Sequence, residues 1–433
     1  MDQILSTLFA ISILLISYIY FILFLKKYSG DKIIGEIGFI YVSLAVAYTI
    51  YPALGIISTI NGDNEFQIAL GMPSINDLNS HLWRQVSFVV ASTFSYLIFR
   101  GKQKIYLVNF SDNKLYSPRL VNIILFTIFS FILILIVSSS TVSSYYENYT
   151  RFDDLPWFLR RIVAVVINLK YGFYAILLTI LYKNYKENKN KIIISVLILC
   201  IFEVVNSQGS RIEALKILLI TVCLHVFFAK GITLTRSILV GGILLAIFSA
   251  IELVRSAIMN NTSVSDYISD QGIKPASELG AIFFTGIHLY DARKSGTLPY
   301  VDNLMLFYDF LSAIPFADWS EYNPMVWYAN NYYPNAVVPP FTMGPVAVSA
   351  IFGGEIDLIL RGMIVGAILA LLFKWFIHNV NSVYRCVVYV FSYSTVVMII
   401  KYDIFWYFPQ IVKSIIPSLI LFYFINHFTK KCK

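Results

Sequence analysis

The chain has 433 residues, 58% of them hydrophobic and 13% charged, a mean hydropathy of +0.71 and a formal net charge of +8. Soluble domains carry about twice that charged fraction, so a soluble enzyme is excluded, and the basic surplus reads as membrane topology rather than as a nucleic-acid surface. The apolar runs approach twenty residues, enough to cross a hydrocarbon core of about 30 Å, and lack the short alternation of a β-barrel.

The expected fold class is all-α: a polytopic helical membrane protein forming one integral domain over 1–433. The first run, Ile4–Leu25, follows Asp2, has no basic lead-in and no small-residue cleavage site, and reads as a span rather than a signal peptide. Further spans are expected at 36–60, 84–99, 120–141, 160–182, 192–206, 212–229, 237–254, 357–377, 384–401 and 411–428, about eleven in all. The segment 341–352 reads as a half-helix or re-entrant piece. The turns KK, RGKQK and KNYKENKNK and the terminal KKCK fall on one side. The positive-inside rule makes that side cytoplasmic, which puts the N-terminus outside and the C-terminus inside.

Arginine is distributed differently from lysine. Arg84, Arg151, Arg160, Arg161, Arg211, Arg255, Arg293 and Arg361 fall on the outer side or at outer span ends. Orientation does not require them there. A guanidinium fork suits phosphate or carboxylate, and local acids such as Asp154, Glu213, Glu252 and Asp357 are equally available partners. Arg211, at the joint VVNSQGSR between two apolar runs, and Arg255 stand out because each sits where a span meets the outer surface. Inside the spans, Lys170, Glu203 and Lys216 are the ionisable exceptions and are expected to pair with one another.

The external segment 255–356 is too short for an independent enzyme domain but long enough to cap a cavity. Within it Ser277–Arg293 reads as an amphipathic helix, with Glu278, Ala281, Thr285, His288 and Ala292 on one face and Ile282, Phe283, Gly286, Leu289 and Arg293 on the other. His288 is a candidate base, with Asp291 placed to orient it and Glu278 as a competing carboxylate; an ordinary surface histidine fits the same pattern. Downstream, Trp319, Tyr322 and Trp327 stand among Asp309, Asp318, Glu321 and several asparagines. That mixture suits a sugar cleft and equally an interfacial aromatic belt. No nucleotide-binding, zinc-protease or serine-hydrolase motif is present, the histidines form no ligand-spaced set, and the cysteines fall in spans or the tail. Asp153-Asp154 is too common a pair to carry a metal-dependent sugar-nucleotide site.

Two stretches carry a family resemblance. VVNSQGSRIEALK resembles the small-residue-Ser-Arg joint of the bacterial O-antigen and oligosaccharide repeat-unit polymerases of the Wzy type. PPFTMGPVAVSAIFGGEIDLILRGMIVGAI, residues 339–368, resembles their Pro-rich lead-in, short apolar segment, glycine pair and following span. One departure is that Gly344-Pro345 stands where relatives often have a Gly-Glu pair, with Glu355 only later. The resemblance implies a GT-C-like membrane glycosyltransferase of the inner membrane, its N-terminus periplasmic and C-terminus cytoplasmic, using no metal and no cofactor. It implies transfer of a growing glycan from undecaprenyl pyrophosphate to an incoming lipid-linked unit on the periplasmic face, with room for a chain-length-regulating co-polymerase as partner. On that reading Arg211 and Arg255, then Arg160, Arg161 and Arg361, hold the pyrophosphate; His288, Glu278 or Asp291 is the base; Trp319, Tyr322 and Trp327 bind sugar. A lipid-linked oligosaccharide flippase and an O-antigen ligase are the alternatives.

Overall fold

The structure, a computed structural model, describes residues 2–62, 73–104, 117–138, 155–183, 185–206, 211–229, 277–314, 319–334, 343–402 and 407–431. Its principal helices are α1 (Asp2–Ser29), α2 (Ile37–Ile60), α3 (Ile75–Arg100), α4 (Pro118–Ser138), α5 (Trp157–Lys183), α6 (Tyr185–Asn206) and α7 (Arg211–Phe228). After the gap in described residues come α8 (Ser277–Ser295), α9 (Pro324–Tyr332), α10 (Pro345–Ile351), α11 (Gly354–His378), α12 (Val383–Thr395), α13 (Val397–Tyr402) and α14 (Ile416–Lys431). No strand occurs among the described residues.

Seven helical stretches among the described residues are long and apolar enough to span a bilayer: Asp2–Gly35, Ile37–Ile57, Ile75–Arg100, Pro118–Ser138, Trp157–Lys183, Gly354–His378 and Phe408–Thr429. The protein is thus a multi-pass helical membrane protein. The difference from eleven has local causes. The expected spans 192–206 and 212–229 are helices, but α6 begins in the polar stretch YKENKNK and α7 carries Arg211, Glu213 and Lys216. The expected span 384–401 is two helices, α12 and α13, interrupted after the polar run Ser392–Thr395, where the Ser394 hydroxyl donates to the carbonyl of Phe391 at 2.7 Å. The expected span 237–254 lies outside the described residues.

Contacts divide the chain into two units. The first comprises 1–105, 275–375 and 395–409, and the second 106–274, 376–394 and 410–433.

In the first unit α1, α2 and α3 pack together and α11 crosses α3 at close range. Gly362 and Gly366, four apart on α11, make that crossing possible. A Cβ on Gly362 would stand 2.7 Å from the Phe88 carbonyl oxygen, and one on Gly366 would strike the Ser92 carbonyl. Small residues spaced in this way let membrane helices approach backbone to backbone. The Ser95 hydroxyl donates across the crossing to the Met363 carbonyl at 2.6 Å. Where α3 ends, a buried polar knot closes the unit. Arg100 donates to both carboxylate oxygens of Glu36 (3.3 and 2.9 Å), to Ser29 Oγ (2.7 Å) and to the carbonyls of Gly101 and Gln103 (2.9 and 2.6 Å). Tyr96 also donates to Glu36, at 2.9 Å. Removing one partner of such a pair strands the other charge and costs about 3–5 kcal/mol.

The second unit has its own buried cluster. Glu203 accepts from Lys170 Nζ at 2.8 Å, Tyr174 Oη at 2.9 Å and Tyr171 Oη at 3.2 Å. Lys216, expected to join the same set, pairs instead with Glu213 one turn away at 2.9 Å. Both ammonium groups lie 4.7 Å from the Tyr171 ring centroid. Charge is balanced within this cluster, which suits a helix-joining role.

The glycine crossing generates a stability prediction. Gly366→Leu forces α11 away from α3 and costs about 1–3 kcal/mol as overpacking does in a core. Thermal unfolding in detergent, followed by fluorescence size-exclusion, is expected to show a lowered midpoint for Gly366→Leu. Leu360→Ala, on the half-exposed side of the same helix, is expected to leave the midpoint unchanged.

Candidate functional site

The end of the first unit at which α3 and α11 begin gathers most of the chemistry. Two short helices are placed there by their own caps. Asn323 caps α9, accepting from the Met325 N–H at 2.9 Å ahead of Pro324 at the first helical position. Gly344-Pro345 starts α10, every residue of which is buried. The chain then reverses through Gly353-Gly354, with Gly354 at φ +67°, a conformation that favours glycine. Arg293, at the end of α8, donates to the carbonyls of Ala350 and Phe352 at 2.9 and 3.0 Å and so satisfies the carbonyl end of α10.

The helix α8 is not the two-faced surface helix that its spacing suggests. Thr285 and Ala292 of the expected polar face are buried together with Ile282, Phe283, Gly286 and Leu289. It docks on α3, where Gly286 lies so close to His81 that a Cβ there would collide with the ring. His81 is fully buried, packs 4.4 Å from the Phe283 ring, and its Nδ1 has no partner among the described residues.

His288, on the same helix, is half-exposed and differently held. Its Nδ1 lies 2.8 Å from Tyr328 Oη, and Tyr332 packs on it edge-on at 4.5 Å. Burial holds the imidazole below its ordinary value of 6.5, only partly opposed by the charge of Asp291. Burial, and after it the neighbouring Tyr333 and Tyr332 phenols, push the Tyr328 phenol up, so it stays protonated. In the tautomer whose Nδ1–H donates to the Tyr328 oxygen, the lone pair stands on Nε2. That tautomer can take a proton. Asp291 is exposed and makes no hydrogen bond to the ring; burial and the like charge of Asp77 raise its carboxyl.

Arg361 lines a pocket of about 490 Å³ with Tyr308, Asp309, Asn323, Met325 and Tyr402. Its guanidinium is nearly buried, donates from Nε to Asp357 Oδ2 at 2.6 Å one turn earlier, and lies 5.8 Å from the Phe352 ring. The Asn323 amide donates to Tyr308 Oη at 3.2 Å. A cation, a carboxylate, an amide and phenols around one opening can hold an anionic group beside hydroxyls. The α9 helix links this pocket to the histidine: its first residues line the pocket, and Tyr328 and Tyr332, toward its other end, hold His288. A second cavity of about 460 Å³, between α2, α3, α8 and α10, has only Tyr48, Thr49 and Gln85 as polar side chains and no charge.

The remaining expected residues are dispersed. Trp327 is buried, with its indole N–H donating to the Tyr300 carbonyl at 3.0 Å, so it anchors α9 rather than offering an open stacking face. Trp319 and Tyr322 are half-exposed neighbours, their rings 6.1 Å apart. Arg160 and Arg161 are exposed at the start of α5 in the second unit, where Arg161 lies 5.8 Å from the Trp157 ring. Arg211 begins α7, but its side chain, like that of Glu278 and the whole of Arg255, lies outside the described residues. Sequence reasoning missed His81, Tyr402 and the contact of Tyr328 with the His288 imidazole. The mixed stretch NDLNSHLWRQ around His81 gave no sign of its burial.

No protein-family model, no curated protein and no solved structure matches this chain.

The contrast between the two histidines can be measured. Diethyl pyrocarbonate reacts with accessible neutral imidazole. His288 is expected to be carbethoxylated at neutral pH, with a rate that falls only below its ordinary value of 6.5, while His81 stays unmodified until the protein unfolds. Peptide mapping that finds His288 protected and His81 labelled contradicts the placement.

Proposed function

We propose that the protein is a membrane glycosyltransferase that polymerises lipid-pyrophosphate-linked oligosaccharide repeat units at the outer face of the bacterial inner membrane. It would be metal-independent, as the resemblance implies. The single observation that carries this reading is Arg361: a nearly buried guanidinium near the start of a membrane-length helix, lining a pocket with a phenol, a carboxylate and an amide. The position suits a substrate whose charge sits at the bilayer surface and whose sugars lie outside it.

The chemistry follows from what the transfer requires. A hydroxyl of the incoming unit loses its proton as its oxygen attacks the anomeric carbon of the donor. The bond from that carbon to the lipid pyrophosphate breaks, and the leaving group takes up negative charge. A fork of charge-assisted donors stabilises that charge more in the transition state than in the ground state. Arg361 is assigned this role, with Asp357 fixing its fork from one side. His288 Nε2 is assigned the proton, with Nδ1 held by the Tyr328 hydroxyl at 2.8 Å. Trp319 and Tyr322 remain the stacking candidates. Arg211 and Arg255 keep the pyrophosphate role that the resemblance implies, and the assignment to Arg361 does not depend on them.

The test is polymer formed per folded molecule, with reconstituted protein and lipid-linked repeat units. Arg361→Lys keeps the charge but loses the fork and is expected to lower turnover about 10²–10³-fold. His288→Ala is expected to lower it about 10²–10⁴-fold and to abolish the acidic limb of the rate profile. Because the imidazole lies below its ordinary value, that limb falls under pH 6.5 in the unaltered protein and activity is flat above it. Long polymer at normal rates from both variants contradicts the reading. Transport of lipid-linked units without transfer, unaffected by His288→Ala, would favour a flippase.

A further inference from the structure

Toward their N-terminal ends from the glycine crossing, α3 and α11 flank an open space. Between them lies an open groove of about 610 Å³. On the α3 side it is lined by Ser80, Trp83, Arg84 and Ser87, which recur at i, i+3, i+4 and i+7 and so form one stripe. On the α11 side it is lined by Glu355, Leu358 and Ile359.

Trp83 spends its indole N–H on Ser6 Oγ at 3.0 Å, while among the described residues the donors of the arginine and the two serines are barely used. The Arg84 guanidinium carbon lies over the Tyr290 ring, 3.8 Å from its centroid, a cation–π contact that helps hold the side chain in place. Among the described residues only Nε of its five N–H donors is bonded, to Glu355 Oε1 at 3.3 Å. The hydroxyls of Ser80 and Ser87 make no hydrogen bond among the described residues. Glu355 is a weak competitor for the fork: its side chain is 69% exposed, against 20% for Arg84. Asp291 also acts on Arg84 electrostatically, and Lys294 offsets it.

We propose that this groove binds the phosphate headgroup of an anionic membrane lipid, with Glu355 as the placeholder that the phosphate displaces. Charge complementarity and the preset fork select a phosphate diester. Location selects a lipid over a soluble anion. Both walls are membrane-length helices, Trp83 is a residue type enriched at bilayer interfaces, and one side of α11 beside the groove is apolar and open. Ile356, Ile359, Leu360 and Met363 there are 75%, 43%, 51% and 43% exposed, a surface along which acyl chains can lie. The inference does not rest on the proposed glycosyl transfer and holds or fails apart from it.

The test uses full-length protein in nanodiscs of equal parts phosphatidylglycerol and phosphatidylcholine, with the lipid retained after detergent extraction read by native mass spectrometry. The unaltered protein is expected to retain phosphatidylglycerol selectively. Arg84→Gln is expected to retain about tenfold less, the scale of one lost charge-assisted contact, and Glu355→Gln at least as much as the unaltered protein. If Arg84→Gln does not fold, Ser87→Phe, which fills the groove from the same stripe, is expected to lose the lipid equally. Undiminished phosphatidylglycerol on the folded variant tested, or equal retention of phosphatidylcholine, overturns the proposal. Displacement of the lipid by excess inorganic phosphate overturns the lipid assignment, because the acyl chains would then contribute nothing.

Discussion

A guanidinium keeps its charge at any depth, so every arginine in a membrane-length helix must spend its donors on something. How each one does so organises the first unit. Arg100 uses all five donors on Glu36, Ser29 and two carbonyls and is sealed in the knot where α3 ends. Arg293 serves the carbonyl end of a buried half-helix. Arg361 pairs with Asp357 yet lines a pocket. Among the described residues Arg84 uses one donor, and it lines a groove. The sealed arginine holds helices together, and those with open surroundings lie at the opposite end of α3, among the phenols, amides and histidine that could work on a ligand.

The helix α11 converts this into a scaffold. Its first turns supply Glu355, Asp357 and Arg361, and its glycines at 362 and 366 then bring it against α3. A crossing with no room for a Cβ fixes the two axes, so the groove that opens beyond it has a set width and Arg84 a set height. Burial of α10 and the docking of α8 on His81 carry the same rigidity to α9, whose two halves serve the pocket and the imidazole. Functional groups held on packed elements keep their geometry better than groups on loops.

Much of this was legible in the sequence and some was not. Composition and run length gave the helical membrane class, and Lys170 and Glu203, charged residues in apolar runs, do pair. Arg361 was one of several outer-side arginines ranked behind Arg211 and Arg255, because no local signal shows that it lines a pocket. The segment 341–352 read equally as a half-helix or a re-entrant piece, and the structure has a short helix over Pro345–Ile351. Periodicity failed for α8 because the helix is packed on several sides, so small and apolar residues on the supposed polar face carry no contrast. The broken span at 395–397 was hidden because serine and threonine next to aromatic residues look apolar enough in a window average. His81 was invisible because nothing local distinguishes a buried histidine from an exposed one. The GxxxG spacing was present in RGMIVGAI, but only the position of α3 shows which helix it faces.

The central claim is that the Arg361 pocket receives the charged head of a lipid-linked oligosaccharide. The most direct measurement places a photoreactive amino acid at Met325, which lines that pocket, and irradiates the protein in membranes with radiolabelled lipid-pyrophosphate-linked repeat units. The account predicts a labelled adduct from Met325 and none from Tyr300, whose side chain is 86% exposed and is not among those lining the pocket. Absence of label at Met325, or equal label at Tyr300, would contradict it.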